Sequence, residues 1–149
     1  WCKHTNLELD TRVPLIVSAP GYGTGVRSDS LVEIIDIFPT LIELTGGVQP
    51  DALDGRSLEP VLEDPDTALR SYAFSEYRRG NVIGFSLRDR RWRYTEWIDT
   101  ETKFILSSEL YDHRETALSR RNLVGQPEHA TIVSTLSRQL NSAGRISNQ

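Results

Sequence analysis

Two hydrophobic patterns succeed one another in the first third of the chain. VPLIVSAPG, Val13 to Gly21, is an unbroken apolar run rich in β-branched residues and closed by Pro-Gly, the pattern of a strand buried on both faces of a sheet. A loop with three glycines follows, and the period changes. In SLVEIIDIFPTLIELTGG, residues Leu31, Ile34, Ile35, Phe38, Leu41, Ile42 and Thr45 recur at three- and four-residue steps, while Glu33, Asp36, Thr40 and Glu43 fall elsewhere. That spacing predicts an amphipathic helix with Phe38 buried where it meets the sheet. Ser30 with Glu33 fits a capping box at its start, and Gly46 with Gly47 suits a left-handed C-terminal cap. Pro39, inside the pattern, is expected to kink the axis.

From Gly47 to Asp66 the chain reads as loop, with a helical turn or two in LDGRSLEPVLED. Four shorter stretches then mix β-branched or aromatic residues with charges: Ser71 to Tyr77, Ile83 to Arg88, Trp92 to Trp97 and Lys103 to Tyr111. Asp89-Arg90-Arg91 sits between two of them as a hairpin loop. The alternation of Phe85 with Leu87 and of Trp92 with Tyr94 predicts an antiparallel sheet with one packed and one wet face. Pro127 at a first helical turn precedes Ile132, Val133, Leu136 and Leu140, an amphipathic helix able to cover the packed face. The fold class is therefore α+β: a small antiparallel sheet packed by a C-terminal helix, with one strand and a long helix left over.

Composition narrows the function classes. The net charge is −4 with both signs interspersed, so no basic stripe marks a nucleic-acid surface. No apolar stretch approaches the roughly 20 residues of a membrane span. Cys2 is the single cysteine and methionine is absent, which points to a processed product or a piece of a longer protein.

The catalytic inventory is thin. His4, His113 and His129 lack the spacing of a HExxH site or a zinc finger, and there is no GxSxG elbow, P-loop or GxGxxG motif. Cys2 beside Lys3 and His4 is a weak nucleophile candidate, because adjacent side chains rarely face one another. Lys3 is placed better. A lysine just ahead of a buried strand lies near a sheet edge, where α/β proteins collect ligands, and its compact ammonium suits a sulfate or phosphate. A solvated lysine is the plainer reading of the same residue.

WCKHTN, TRVPLIVSAPG, LVEIIDIFPTLIELTG, LDGRSLEPVL, RRWRYTEW and ELYDHRETALSRRNL, in this order, resemble the C-terminal part of the type I sulfatases, calcium-dependent sulfuric ester hydrolases of the alkaline phosphatase superfamily. The tryptophan-x-lysine opening and RYTEW are most similar to the iduronate-2-sulfatase branch, which acts on sulfated glycosaminoglycans. The resemblance implies that residues 1–46 complete a larger α/β N-terminal sulfatase domain and that 47–149 form the C-terminal subdomain. It gives Lys3 the role of contacting the sulfate ester, with His4 only near the site. The family's formylglycine nucleophile arises from a CxPSR-type motif, which this sequence lacks, and its calcium ligands lie upstream. No metal ligand is expected in this chain, so catalysis would need the N-terminal portion as partner and a sulfated sugar as substrate. The alternative is a stand-alone, non-catalytic binding or scaffolding domain. Family members are mostly periplasmic, secreted or lysosomal.

Overall fold

The computed structural model describes residues 4–116, 118, 119 and 121–143. The chain divides into two compact units, one formed by Trp1–Val13 with Phe74–Gln149 and the other by Pro14–Ala73.

The first unit is built on a four-stranded sheet of order β1-β2-β3-β4, with β1 Ala73–Arg79, β2 Val82–Arg88, β3 Trp92–Asp99 and β4 Ile105–Asp112. All four expected strands form, each within two residues of its predicted start. β2 pairs antiparallel with β3, Leu87 opposite Tyr94, and β3 with β4, Tyr94 opposite Leu110. The hairpin loop between β2 and β3 closes on Asp89, whose Oδ1 accepts the amides of Arg91 (2.7 Å) and Trp92 (2.5 Å).

Successive side chains of a strand point to opposite faces, and on β3 both faces are buried from Trp92 to Glu96. On one face Ile83 and Leu87 of β2, Tyr94 and Ile98 of β3 and Leu110 of β4 form the core. Over it lies the C-terminal helix, a 3-10 turn Pro127–His129 running into α4 Ala130–Ser142, which buries Leu136 and Leu140. Ser137 of α4 donates to Glu96 at 2.7 Å, and so does the Tyr94 hydroxyl at 2.9 Å. The opposite face, which the alternation implied to be wet, is covered. The N-terminal segment, including the single-turn helix α1 Glu8–Thr11, reaches Gly84, Arg88 and Arg93 on that face, and a polar network lies beneath it.

Val13 to Ala19, which runs from the end of the first unit's N-terminal segment into the second unit, has the composition of a strand but pairs with no strand among the described residues. The predicted helix starts later than its apolar pattern: a 3-10 turn Ile34–Asp36 leads into α2 Ile37–Leu44. Its capping box uses Glu33 and Asp36, whereas Ser30 accepts the amide of Leu69 at 3.1 Å. Pro39 is the third residue of α2, in the turn whose amides have no partner within an α-helix. It therefore sits at a helix start and removes no interior bond. Gly46, at φ 67°, and Gly47 close the end, the Gly47 amide reaching back to Ile42 O at 2.8 Å, as the sequence implied.

Which face of α2 turns inward differs from expectation. Asp36, Pro39 and Thr40 are buried, while Phe38 is 55% exposed and Ile34, Ile35 and Leu41 are exposed with it. Hydrogen bonds decide the inward face. Asp36 Oδ2 accepts the Glu33 amide (2.7 Å) and Oδ1 the Arg56 amide (2.8 Å), and Arg70 pairs with both Asp36 and Glu33. Thr40 Oγ1 accepts the amide of Leu58, just ahead of α3 Glu59–Glu63. A Cβ on Gly55 would run into the carbonyl of Ile35, so DGRS lies this close to the 3-10 turn only with glycine at that position. IIDIFPT and LDGRSL thus clasp one another.

Candidate functional site

Lys3, with Trp1 and Cys2, lies outside the described residues. His4, its neighbour, is exposed, and its Nδ1 lies 2.9 Å from the Tyr77 hydroxyl on β1, the rings tilted with centroids 5.9 Å apart. The segment behind His4 is fastened in several places. Asn6, 3% exposed, donates through Nδ2 to Gly84 O at 2.8 Å and accepts at Oδ1 from the Ser75 hydroxyl at 3.1 Å. Thr5 donates to Asp10 and accepts the Leu7 amide, and Leu7 O receives the amides of Asp10 and Thr11. This folds ELDT into its single turn and directs Glu8 at the sheet.

Glu8, 8% exposed, is the charged centre of the fastening. Its Oε2 accepts from Arg93 Nη2 at 2.8 Å and from Arg88 Nε at 3.1 Å. Arg93, 4% exposed, also donates to Ser86 Oγ at 3.1 Å, to which Thr95 donates in turn. Burial alone pushes the Glu8 carboxyl up. The Arg93 hydrogen bond and the charges of Arg93 and Arg88 outweigh it, so the group lies below its ordinary value and is ionised. Burial and the charge of Arg88 push His113 below its usual value, partly opposed by Glu8.

On the neighbouring turn, Asp112 takes Arg91 and Arg114, both at 2.9 Å. Burial works against its ionised form, but the hydrogen bonds from the two arginines hold the carboxyl far below the ordinary range. Arg91 also stacks 4.2 Å over Trp92. This cluster ties β3 to the end of β4. Among the described residues, no three His, Cys, Asp or Glu side chains gather as a metal ion would need.

The residues that sequence reasoning missed are Asn6, Glu8, Tyr77, Arg88 and Arg93. The partners of Glu8 stand 80 and 85 positions away, and no local pattern links them. RYTEW, by contrast, divides as a strand must: Arg93 and Thr95 enter the polar network, Tyr94 and Glu96 face α4.

Over residues 1–145 the sequence matches the family described as "N-sulphoglucosamine sulphohydrolase, C-terminal". Arylsulfatase K of Danio rerio is 32% identical over 106 residues, covering 65% of this chain and 20% of the relative. A phosphonate monoester hydrolase from Silicibacter pomeroyi superposes with a TM-score of 0.70 at 29% identity, over 85% of this chain and 28% of that one. A 2-O GAG sulfatase does so with a TM-score of 0.61 at 28% identity, over 73% and 24%. The chain spans about a fifth to a quarter of the length of these two sulfatases.

Proposed function

Since the chain belongs to the N-sulphoglucosamine sulphohydrolase C-terminal family, a family of sulfatases, we propose that it works as the C-terminal part of an enzyme hydrolysing sulfate esters. In this reading residues 1–46 complete the larger N-terminal sulfatase domain and 47–149 form the C-terminal subdomain. The N-terminal portion of the same gene product supplies the formylglycine nucleophile and the calcium site. The described residues offer no calcium donor set, and what this chain contributes is argued from its own side chains alone.

Lys3 contacts the sulfate in this reading, and His4 stands beside the site. The Lys3 ammonium would neutralise charge on the sulfate oxygens and on the leaving oxygen as the S–O bond breaks. The observation that supports it best is the family match over residues 1–145 together with the fastening of the segment just behind Lys3 by Asn6 and Glu8. The exposed apolar residues of the second unit support the missing partner. Ile16 is 90% exposed, and Ile34, Ile35, Phe38 and Leu41 form an uncovered helix face, larger in extent than scattered surface residues need be. The N-terminal portion is the occupant we assign to it.

The substrate we assign is a sulfated glycosaminoglycan or related sugar, by likeness to the 2-O GAG sulfatase. Arylsulfatase K among the relatives does not single out the iduronate-2-sulfatase branch, so the assignment stops at the sugar class. A periplasmic, secreted or lysosomal setting goes with it; no described helix is long and apolar enough to cross a membrane.

The test is sulfate release from sulfated disaccharides by the complete gene product and by the 149-residue chain alone, with a phosphonate monoester as a parallel arm. The proposal expects sulfate release by the former and none by the latter. A complete product that cleaves only the phosphonate, or nothing, overturns it, the second result favouring a non-catalytic binding domain.

A further inference from the structure

We propose that Arg79, Tyr77 and His4 form a contact surface for an anionic group of the substrate sugar, a carboxylate or a sulfate other than the one released. The inference rests on the sulfatase reading and adds a determinant of which sugar is accepted.

The surface is built on β1, an edge strand of the sheet. Residues two apart on a strand share a face, and half-buried and exposed residues alternate along β1 from Ala73 to Arg78. Ser75 and Tyr77 lie on the face that the N-terminal segment reaches. Ser75 Oγ donates to Asn6 Oδ1 at 3.1 Å, and the Tyr77 hydroxyl lies 2.9 Å from His4 Nδ1. Arg79 is the next residue on that face, its Cα about 6.6 Å beyond that of Tyr77. It is exposed where the alternation would half-bury it.

What these side chains offer is donors. In either tautomer of His4 the His4–Tyr77 pair keeps one to spare. If the Tyr77 hydroxyl donates to Nδ1, the proton on Nε2 is left over; if Nδ1 carries the proton, the Tyr77 O–H is left over. Arg79 adds a planar guanidinium whose paired N–H groups match the oxygens of a carboxylate or sulfate, and it has no partner among the described residues. The acidic groups of the adjoining β3–β4 turn, joined to the β1–β2 turn by the Thr100 amide on Asn81 O at 2.8 Å, are engaged elsewhere. Asp99 Oδ1 accepts the amides of Glu101 (3.0 Å) and Thr102 (2.7 Å), and Glu101 Oε1 accepts from Asn81 Nδ2 at 3.3 Å. An exposed hydrogen bond such as His4–Tyr77 adds little to stability, but it fixes the direction of two side chains beside an unpaired cation. The unpaired charge selects an anion over a neutral sugar hydroxyl. Arg78 is exposed as well and points to the other face of β1, so it carries the same charge without the same neighbours.

The test is steady-state kinetics of the complete gene product on three sulfated disaccharides: one with no anion besides the scissile sulfate, one with a uronate carboxylate in addition, and one with a second sulfate in addition. Arg79→Ala is expected to lower kcat/KM on at least one of the latter two by about tenfold, the scale of a hydrogen bond to a charged group. KM carries the change, as for binding made equally in the ground and transition states, while the first disaccharide stays within about twofold. The disaccharide that loses more tells carboxylate from sulfate. Tyr77→Phe should lower kcat/KM on that same substrate by about threefold, and Arg79→Lys should recover part of the loss by keeping the charge. Arg78→Ala leaves all three substrates within about twofold. An equal loss on all three disaccharides overturns the inference, since a defect of folding or scaffold does not choose among substrates. So does an Arg78→Ala loss equal to that of Arg79→Ala, the mark of a general field, and so does an Arg79→Ala enzyme within about twofold of the parent on both doubly anionic substrates. A parent that cleaves only the first disaccharide overturns it too. Each of these results leaves the sulfatase reading standing. A parent that releases sulfate from none of the three removes that reading and the inference with it.

Discussion

Gly84 has no side chain, and two neighbours occupy the space where one would be. An added methyl would stand 2.6 Å from the Trp97 ring and 2.8 Å from the Asn6 amide, so Gly84→Ala is expected to destabilise the first unit by about 1–3 kcal/mol through overpacking, measured by urea unfolding. Asp36 plays the comparable part in the second unit, taking the amides of Glu33 and Arg56 and the Arg70 guanidinium while fully buried. Removing one partner of such a buried pair leaves the other uncompensated, and Asp36→Ala is expected to cost about 3–5 kcal/mol in the same experiment. Residues of this kind were only half legible. That Asp36 falls off the apolar stripe is visible in the sequence; that its partners stand 20 and 34 positions away is not. Glu8 was hidden for the same reason, since nothing local distinguishes a buried glutamate from a solvated one.

Among the elements, the strands and α4 were the most legible, because alternation and the Leu136, Leu140 spacing act over short distances. α2 was legible as a helix but not in its orientation. Its apolar stripe is strong, and the expectation that it faces inward assumed that the covering surface belongs to the same unit. Polar bonds from Asp36 and Thr40 instead turn the other face inward. Phe38→Ala in the 149-residue chain is accordingly expected to shift stability by no more than about 0.5 kcal/mol. Leu136→Ala, deleting a side chain only 1% exposed, should cost about 2–5 kcal/mol. Equal thermal shifts for the two would contradict the orientation of α2. Val13 to Ala19 has the pattern of a buried strand, yet among the described residues it is in no strand and several of its apolar side chains are exposed.

At the scale of the whole molecule, acidification probes the fastening of the N-terminal segment. His113 is held below its ordinary 6.5, so the folded state resists a proton that the unfolded chain accepts. Its contribution is complete above about pH 6.5 and is lost as pH falls toward the lowered folded value. Glu8, held below its ordinary 4.5, contributes fully above that value and loses its contribution as pH falls through the lowered one. Thermal midpoints measured against pH should therefore fall in two stages, and His113→Gln should remove the upper stage while keeping the lower. Steady-state kinetics of the complete gene product on a sulfated disaccharide tests whether Lys3 contacts the sulfate. Lys3→Ala is expected to lower kcat/KM by about a hundredfold or more, the scale of losing a preorganised charge-stabilising donor, while Arg138→Ala on the exposed side of α4 leaves it unchanged. A Lys3→Ala enzyme with the kcat/KM of the parent would exclude Lys3 as the sulfate contact.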